Sequence, residues 1–207
     1  MIQDDNAETR AAAARLIAAG GVIAFRTDTF YGLGADPFNS DAIRKIRELK
    51  GREETKPILL LISDDSEVDR FVQQSEFFKL VARNHWPAPL TLIGVSLPEV
   101  PGELTASTNS LGIRLPDDED VRAFVRSCGG ALTATSANVS GQPPARTAKE
   151  VENYFPAGVD LIVDGGEVTA TEASTVLDVS SSEVRLVREG AVSRDKLSKL
   201  MGVIKRP

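Results

Sequence analysis

The sequence predicts a mixed α/β protein, with one domain over residues 1–207 and helices on the faces of a large twisted sheet. Three observations lead there. Short apolar runs suited to strands alternate with helical patterns through most of the chain. Further strand candidates cluster towards the end. No linker or internal repeat divides the sequence.

The elements follow in order. Residues 8–19, ETRAAAARLIAA, favour a helix because alanine does, and Gly20-Gly21 stops it. GVIAF is a short buried strand that runs into RTDTFYGLG, read as a polar, glycine-containing loop. Asp41 is expected to cap a helix in which Ile43, Ile46 and Leu49 share a face, ending at Gly51. PILLLI is a fully apolar strand. Residues 75–84 predict a helix with Phe77, Phe78, Leu80 and Val81 inward. TLIGVS and LGIRL are strands, DEDVRAFVRSC is a helix, and ALTATS is a strand ending in the loop SANVSGQPPAR. Thr147 and Glu150 form a capping box for a short helix. LIVDGG, STVLDVS and SEVRLVRE are strand candidates, and a last helix begins at Ser193.

Composition excludes several classes of function. The chain has 207 residues, 42% hydrophobic and 26% charged, an ordinary globular balance. No apolar window is long enough to span a membrane, and the acidic N-terminus is wrong for a secretory signal, so a cytoplasmic location is expected. One cysteine, Cys128, allows no internal disulfide. One histidine, His85, makes a His/Cys zinc site or a Ser-His-Asp hydrolase a poor fit. The net charge of −6 argues against a general duplex-DNA binder. His85 and Trp86 read as packing at a helix end. Cys128 reads as core without the basic neighbours of a reactive thiol.

Polar loops at strand ends are where α/β folds keep their sites. The candidates are RTDTFYGLG, KGREETKP, TSANVSG and the STV near residue 174. Each has a plain structural reading. Thr27, Asp28 and Thr29 suit a turn with Gly32 and Gly34 at positive φ, Lys50 and Arg52 suit a solvated helix end, and TSANVSG suits a loop. Together they suggest more. Lys50, Arg52 and Lys56 are a cation cluster in an acidic chain, suited to phosphate oxygens. Ser136 and Asn138 can complete hydrogen bonds to a nucleotide. Thr29, Tyr31 and Arg114 suit a small zwitterion.

TDTFYGLG, KGREETKP, WPAPLTLI, LGIRLP, TSANVSG, STVLD and VREG occur in that order. The ordered set closely resembles the YrdC-type threonylcarbamoyl-AMP synthase family, in its short form, over about residues 10–190. The resemblance implies a single α/β domain with a deep positively charged cavity. It implies condensation of L-threonine, bicarbonate or CO2, and ATP into threonylcarbamoyl-AMP and pyrophosphate. A partner transferase, of the TsaD, TsaB and TsaE type, then modifies N6 of the adenosine at tRNA position 37. By the same resemblance, Lys50, Arg52, Lys56, Ser110, Ser136, Asn138 and Arg188 hold ATP, with Lys50 and Arg52 catalytic. Thr29, Arg114 and Ser174 hold threonine, with Tyr31 close by. Magnesium accompanies ATP and no protein metal ligand is assigned. The chain departs from the family's pattern at Arg26, Leu61 and Ala88. The alternative is a YciO-like paralogue that binds RNA or the ribosome. Against it, aromatic residues are only 5% of the chain and no basic-aromatic run offers a stacking platform.

Overall fold

The computed structural model describes residues 1–51, 57–181, 183–198 and 204–205. In chain order the elements are β1 (Ile2–Asp4), α1 (Ala7–Ala18), β2 (Ile23–Arg26), β3 (Tyr31–Gly34), α2 (Ser40–Lys50) and β4 (Leu60–Ile62). A 3-10 turn over Asp65–Arg70 leads to β5 (Val72–Gln73), α3 (Glu76–His85), β6 (Leu90–Ser96), α4 (Gly102–Thr105) and β7 (Ser110–Arg114). Then come α5 (Glu119–Ser127), β8 (Ala131–Thr133), β9 (Thr135–Ser136), α6 (Ala148–Tyr154) and β10 (Leu161–Asp164). The last are β11 (Thr175–Asp178), β12 (Val184–Arg188), α7 (Arg194–Ser198) and β13 (Ile204–Lys205).

The mixed α/β architecture is the expected one, but its strands divide between two sheets. One has the order β1-β10-β2-β3-β9. The other has the order β13-β12-β11-β6-β7-β4-β8, with β5 beside β6. Both mix parallel and antiparallel neighbours.

Apolar runs without alternation belong to strands covered on both faces. In β2, Ala24 joins the larger core while Ile23 and Phe25 join a second one under α1 and α5. In β4, Leu60 and Ile62 face the first core and Leu61 the second. Phe25 stacks on Phe124 of α5 with centroids 5.2 Å apart.

Several expectations change. RTDTFYGLG is only half loop, since Tyr31–Gly34 is strand β3, paired antiparallel to β2. Gly32 and Gly34 therefore do not adopt positive φ. Gly34 is needed for close approach instead, because a Cβ there meets Phe25 Cε1 at 2.8 Å. Gly34→Ala is expected to destabilise the protein by about 1–3 kcal/mol through overpacking, read as a lower urea midpoint at unchanged m-value. Asn39, not Asp41, caps α2, its side chain accepting from the Ala42 N–H at 3.0 Å. In α3, Phe78 and Val81 are buried, but Leu80 is 45% exposed. At about 100° per residue Phe77, Phe78 and Val81 share one face, and Leu80 falls outside that stripe and is left to solvent.

ALTATS is not one strand. β8 pairs with β4 in one sheet and β9 with β3 in the other. The chain changes sheets at Ala134, whose N–H donates to the Leu59 carbonyl at 2.8 Å. Thr133 Oγ1 accepts from the Ala35 N–H at 2.8 Å, tying the crossing to the chain after β3. This crossing brings the end of the first sheet over a face of the second.

Candidate active site

A cavity of about 500 Å³ lies at that crossing. Strand pairing builds its floor. Ile93 of β6 is opposite Gly112 of β7, Val176 of β11 is opposite Thr91 of β6, and Arg188 of β12 is opposite Val176. Side chains two apart on a strand share a face, so Thr91 accompanies Ile93 and Arg114 accompanies Gly112. All of these residues line the cavity. The facing wall comes from Thr27, from Thr29–Gly32, and from Ala134–Ser136 with Asn138.

Thr27 organises the first part of that wall. Its hydroxyl donates to the Phe30 carbonyl at 2.6 Å and accepts from the Thr29 N–H at 3.2 Å. The turn reading of Thr27-Asp28-Thr29 is thus correct, and the turn also aims Thr29 at the cavity. Arg114 is 3% exposed, and its Nη1 donates to Thr29 Oγ1 at 3.2 Å. Its Nη2 lies 3.0 Å from Asp28 Oδ1. The separation is that of an ion pair, but the N–H directions miss the oxygens, so neither Asp28 oxygen has a hydrogen bond. Burial pushes the Arg114 guanidinium down, Asp28 opposes that shift, and Arg188 adds to it by repulsion.

Arg188 is held at the other side of the floor. Its Nη2 donates to the Ser174 carbonyl at 2.8 Å and to Ser174 Oγ at 3.2 Å, and its Nε to the same carbonyl at 3.1 Å. Ser174 Oγ also lies 2.9 Å from Thr91 Oγ1. The glycine of VREG follows from packing, because a Cβ at Gly190 meets backbone atoms of Ala173 and Ser174.

Ser136 and Asn138 line the cavity, and Lys50 supports them from behind. Lys50 is 2% exposed, so it is not a solvated helix end. Its ammonium donates to the Ser136 carbonyl, to the Asn138 carbonyl at 2.9 Å and to Asn138 Oδ1 at 3.5 Å. Its own carbonyl accepts from the Ser140 N–H at 2.9 Å. Asn138 Nδ2 donates to the Val139 and Gln142 carbonyls, which closes the loop on itself.

The structure therefore gathers Thr29, Arg114, Ser136, Asn138, Ser174 and Arg188 around one cavity. Tyr31 also borders it, but its hydroxyl lies 3.0 Å from Asp164 Oδ1 and 2.9 Å from the Gly166 carbonyl. Burial and the Asp164 charge hold that phenol in its protonated form. Lys50 and Ser110 are not among the residues that line the cavity. Ser110 sits at the other end of β7 from Arg114, beside the Thr108 hydroxyl. Arg52 and Lys56 lie outside the described residues. Sequence reasoning did not single out Thr91, within WPAPLTLI, or the buried carboxylate of Asp28. The first is one of many strand threonines, and only strand register places it beside Ser174.

The remaining polar candidates stand apart. Arg26 pairs with Asp118 at 2.9 Å and does not line the cavity. His85 ends α3 with its pKa lowered by burial, as packing at a helix end requires. Burial pushes the Cys128 thiol up to about 11. Cys128 is thus almost entirely thiol at pH 8, and its labelling by a disulfide reagent is expected to be slow until denaturant is added.

The profile of the Sua5/YciO/YrdC family, described as telomere recombination, matches residues 15–190. The chain belongs to this family. Among Sua5/YciO/YrdC relatives, it is 31% identical to the threonylcarbamoyl-AMP synthase of Pyrococcus abyssi over 93% of its length, and 35% identical to that of Bacillus subtilis over 94%. It spans 57% of the length of each of these two proteins. With the threonylcarbamoyl-AMP synthase of Thiobacillus denitrificans the identity is 37%, covering 80% of this chain and 88% of that one. The crystal structure of P. abyssi Sua5 complexed with L-threonine superposes with a TM-score of 0.93 at 29% identity, over all of this chain and 61% of that one. Escherichia coli YciO, at 24% identity and a TM-score of 0.81 over 93% of this chain and 95% of that one, shares the fold. Among the described residues, no helix is long and apolar enough to cross a membrane.

Proposed function

We propose that the protein is a threonylcarbamoyl-AMP synthase that condenses L-threonine, bicarbonate or CO2, and ATP. The observation that carries this reading is two arginines on the floor of one cavity: Arg114, which donates to the Thr29 hydroxyl and pairs with Asp28, and Arg188, which is held by the Ser174 carbonyl and hydroxyl. One guanidinium suits the carboxylate of an amino acid and the other suits phosphate oxygens. A cavity of about 500 Å³ is of ligand size.

The chemistry needs few side chains. The threonine amine adds to CO2 and loses a proton, giving a carbamate. A carbamate oxygen then attacks the α-phosphorus of ATP, and the bond to the departing pyrophosphate breaks. Negative charge grows on phosphate oxygens, so positioning and cationic stabilisation supply most of the help. Thr29, Arg114 and Ser174 are assigned to the amino acid, with Tyr31 close by. Ser136, Asn138 and Arg188 are assigned to the nucleotide, together with Arg52 and Lys56 on the sequence resemblance. Lys50 serves that end by holding the Ser136 and Asn138 carbonyls in place.

Magnesium would accompany ATP, coordinated by its phosphates. The product would pass to a TsaD, TsaB and TsaE type transferase acting on tRNA in the cytoplasm.

The test is pyrophosphate release from ATP and magnesium, with and without L-threonine and bicarbonate. Release that needs both is expected. ATP binding without threonine-dependent release would reject the activity while leaving the nucleotide site.

A further inference from the structure

Two arginines line one cavity, and their charges are handled differently. Among the described residues bordering the cavity, Arg114 and Arg188 are the charged ones. Arg188 rests on Ser174, a neutral partner, and no carboxylate pairs with it among the described residues. Arg114 has a carboxylate beside it. The Asp28 side chain is 6% exposed, lies 3.0 Å from Arg114 Nη2 and does not border the cavity.

Such a carboxylate is costly to keep. Both of its oxygens are buried without a hydrogen-bond partner, and so is Arg114 Nε. A buried pair of this quality adds little to stability over an apolar pair. What it does supply is electrical. The Asp28–Arg114 unit carries no net charge, whereas among the described residues no carboxylate offsets the positive charge of Arg188. A polyanion is attracted to the uncompensated cation. At the compensated one, a simple anion gains little, because Asp28 repels what Arg114 attracts. A zwitterion loses less, since its ammonium is attracted by the carboxylate that opposes its own.

We propose that Asp28 is a specificity-determining, positioning residue that tunes the Arg114 end of the cavity to a net-neutral amino acid and directs phosphate groups to the Arg188 end. The inference rests on the synthase reading above and deepens it. Asp28 acts through Arg114 and Thr29, with no assigned contact to substrate.

The test uses L-threonine and 3-hydroxybutyrate, which is threonine without its amino group and therefore a simple anion. Calorimetric affinities of both ligands are measured for the wild type, Asp28→Asn and Asp28→Glu. In the wild type L-threonine is expected to bind more tightly. In Asp28→Asn the ratio of the two affinities is expected to shift towards the anion by about tenfold or more, the scale for one unit charge in a partly dry site. Asp28→Glu, which keeps the charge, is expected to retain the preference. General loosening of the site weakens both ligands together and leaves the ratio in place. An unchanged ratio in Asp28→Asn would overturn the inference, as would a loss of preference in Asp28→Glu equal to that in Asp28→Asn. Should Asp28→Asn not fold, Asp28→Ser carries the same measurement. A wild type that binds ATP but no L-threonine would instead overturn the proposed function, and this inference with it.

Discussion

Replacing Arg114 with methionine is expected to abolish threonine-dependent pyrophosphate release and to destabilise the fold by about 3–5 kcal/mol, the range for breaking one side of a buried ion pair. The reason is what remains. Asp28 keeps a buried carboxylate with no counter-charge, and Thr29 loses the guanidinium that donates to its hydroxyl. Urea unfolding measures the first effect and the pyrophosphate assay the second. The double variant Arg114→Met with Asp28→Leu separates them. It is expected to recover much of the stability, because no charge is left unpaired, and none of the activity. Full activity in either variant would remove Arg114 from the site.

Lys50→Met is expected to have the second-largest effect. The ammonium donates to two carbonyls and an amide oxygen of the Ser136–Asn138 loop from a fully buried position. Methionine fills similar space but donates nothing. Each buried acceptor left unsatisfied costs about 1–3 kcal/mol. The loop that carries Ser136 and Asn138 then loses its fixed place relative to Arg188. A fall in rate of roughly 10²-fold is expected from misplaced site groups. Hydrogen exchange is expected to show the change concentrated in residues 136–142. Exchange unchanged there, with the rate nonetheless lost, would show that Lys50 acts on the nucleotide directly rather than through the loop.

These two residues also mark how far the sequence could be read. Arg114 was legible as a site residue because a guanidinium suits the carboxylate of a small zwitterion and because LGIRLP belongs to the ordered set of motifs. Its partner Asp28 was not, since an aspartate between two threonines before a glycine-containing stretch is what any surface turn contains. Lys50 was legible as a cation at a helix C-terminus. Whether it faces solvent, cavity or loop depends on what the chain does far along at Ser136. No local pattern carries that information. The same limit explains the strands. GVIAF and PILLLI announce themselves as buried by their unbroken apolar runs, but ALTATS gives no sign that its two halves join different sheets.

By itself, the sequence determined the mixed α/β class, the helix ends at Gly51 and at the Thr147 capping box, and the set of loops from which the site is drawn. Those properties are local. They depend on side-chain period, backbone preference and caps within a few residues. Only the tertiary structure decided that Thr91, Ser174 and Arg188 share one sheet face, that Lys50 is an internal strut, and that Asp28 compensates Arg114 while, among the described residues, no carboxylate pairs with Arg188. Those properties depend on strand register and on charges brought together from distant parts of the chain. A buried charge takes its role from whatever partner the fold sets beside it.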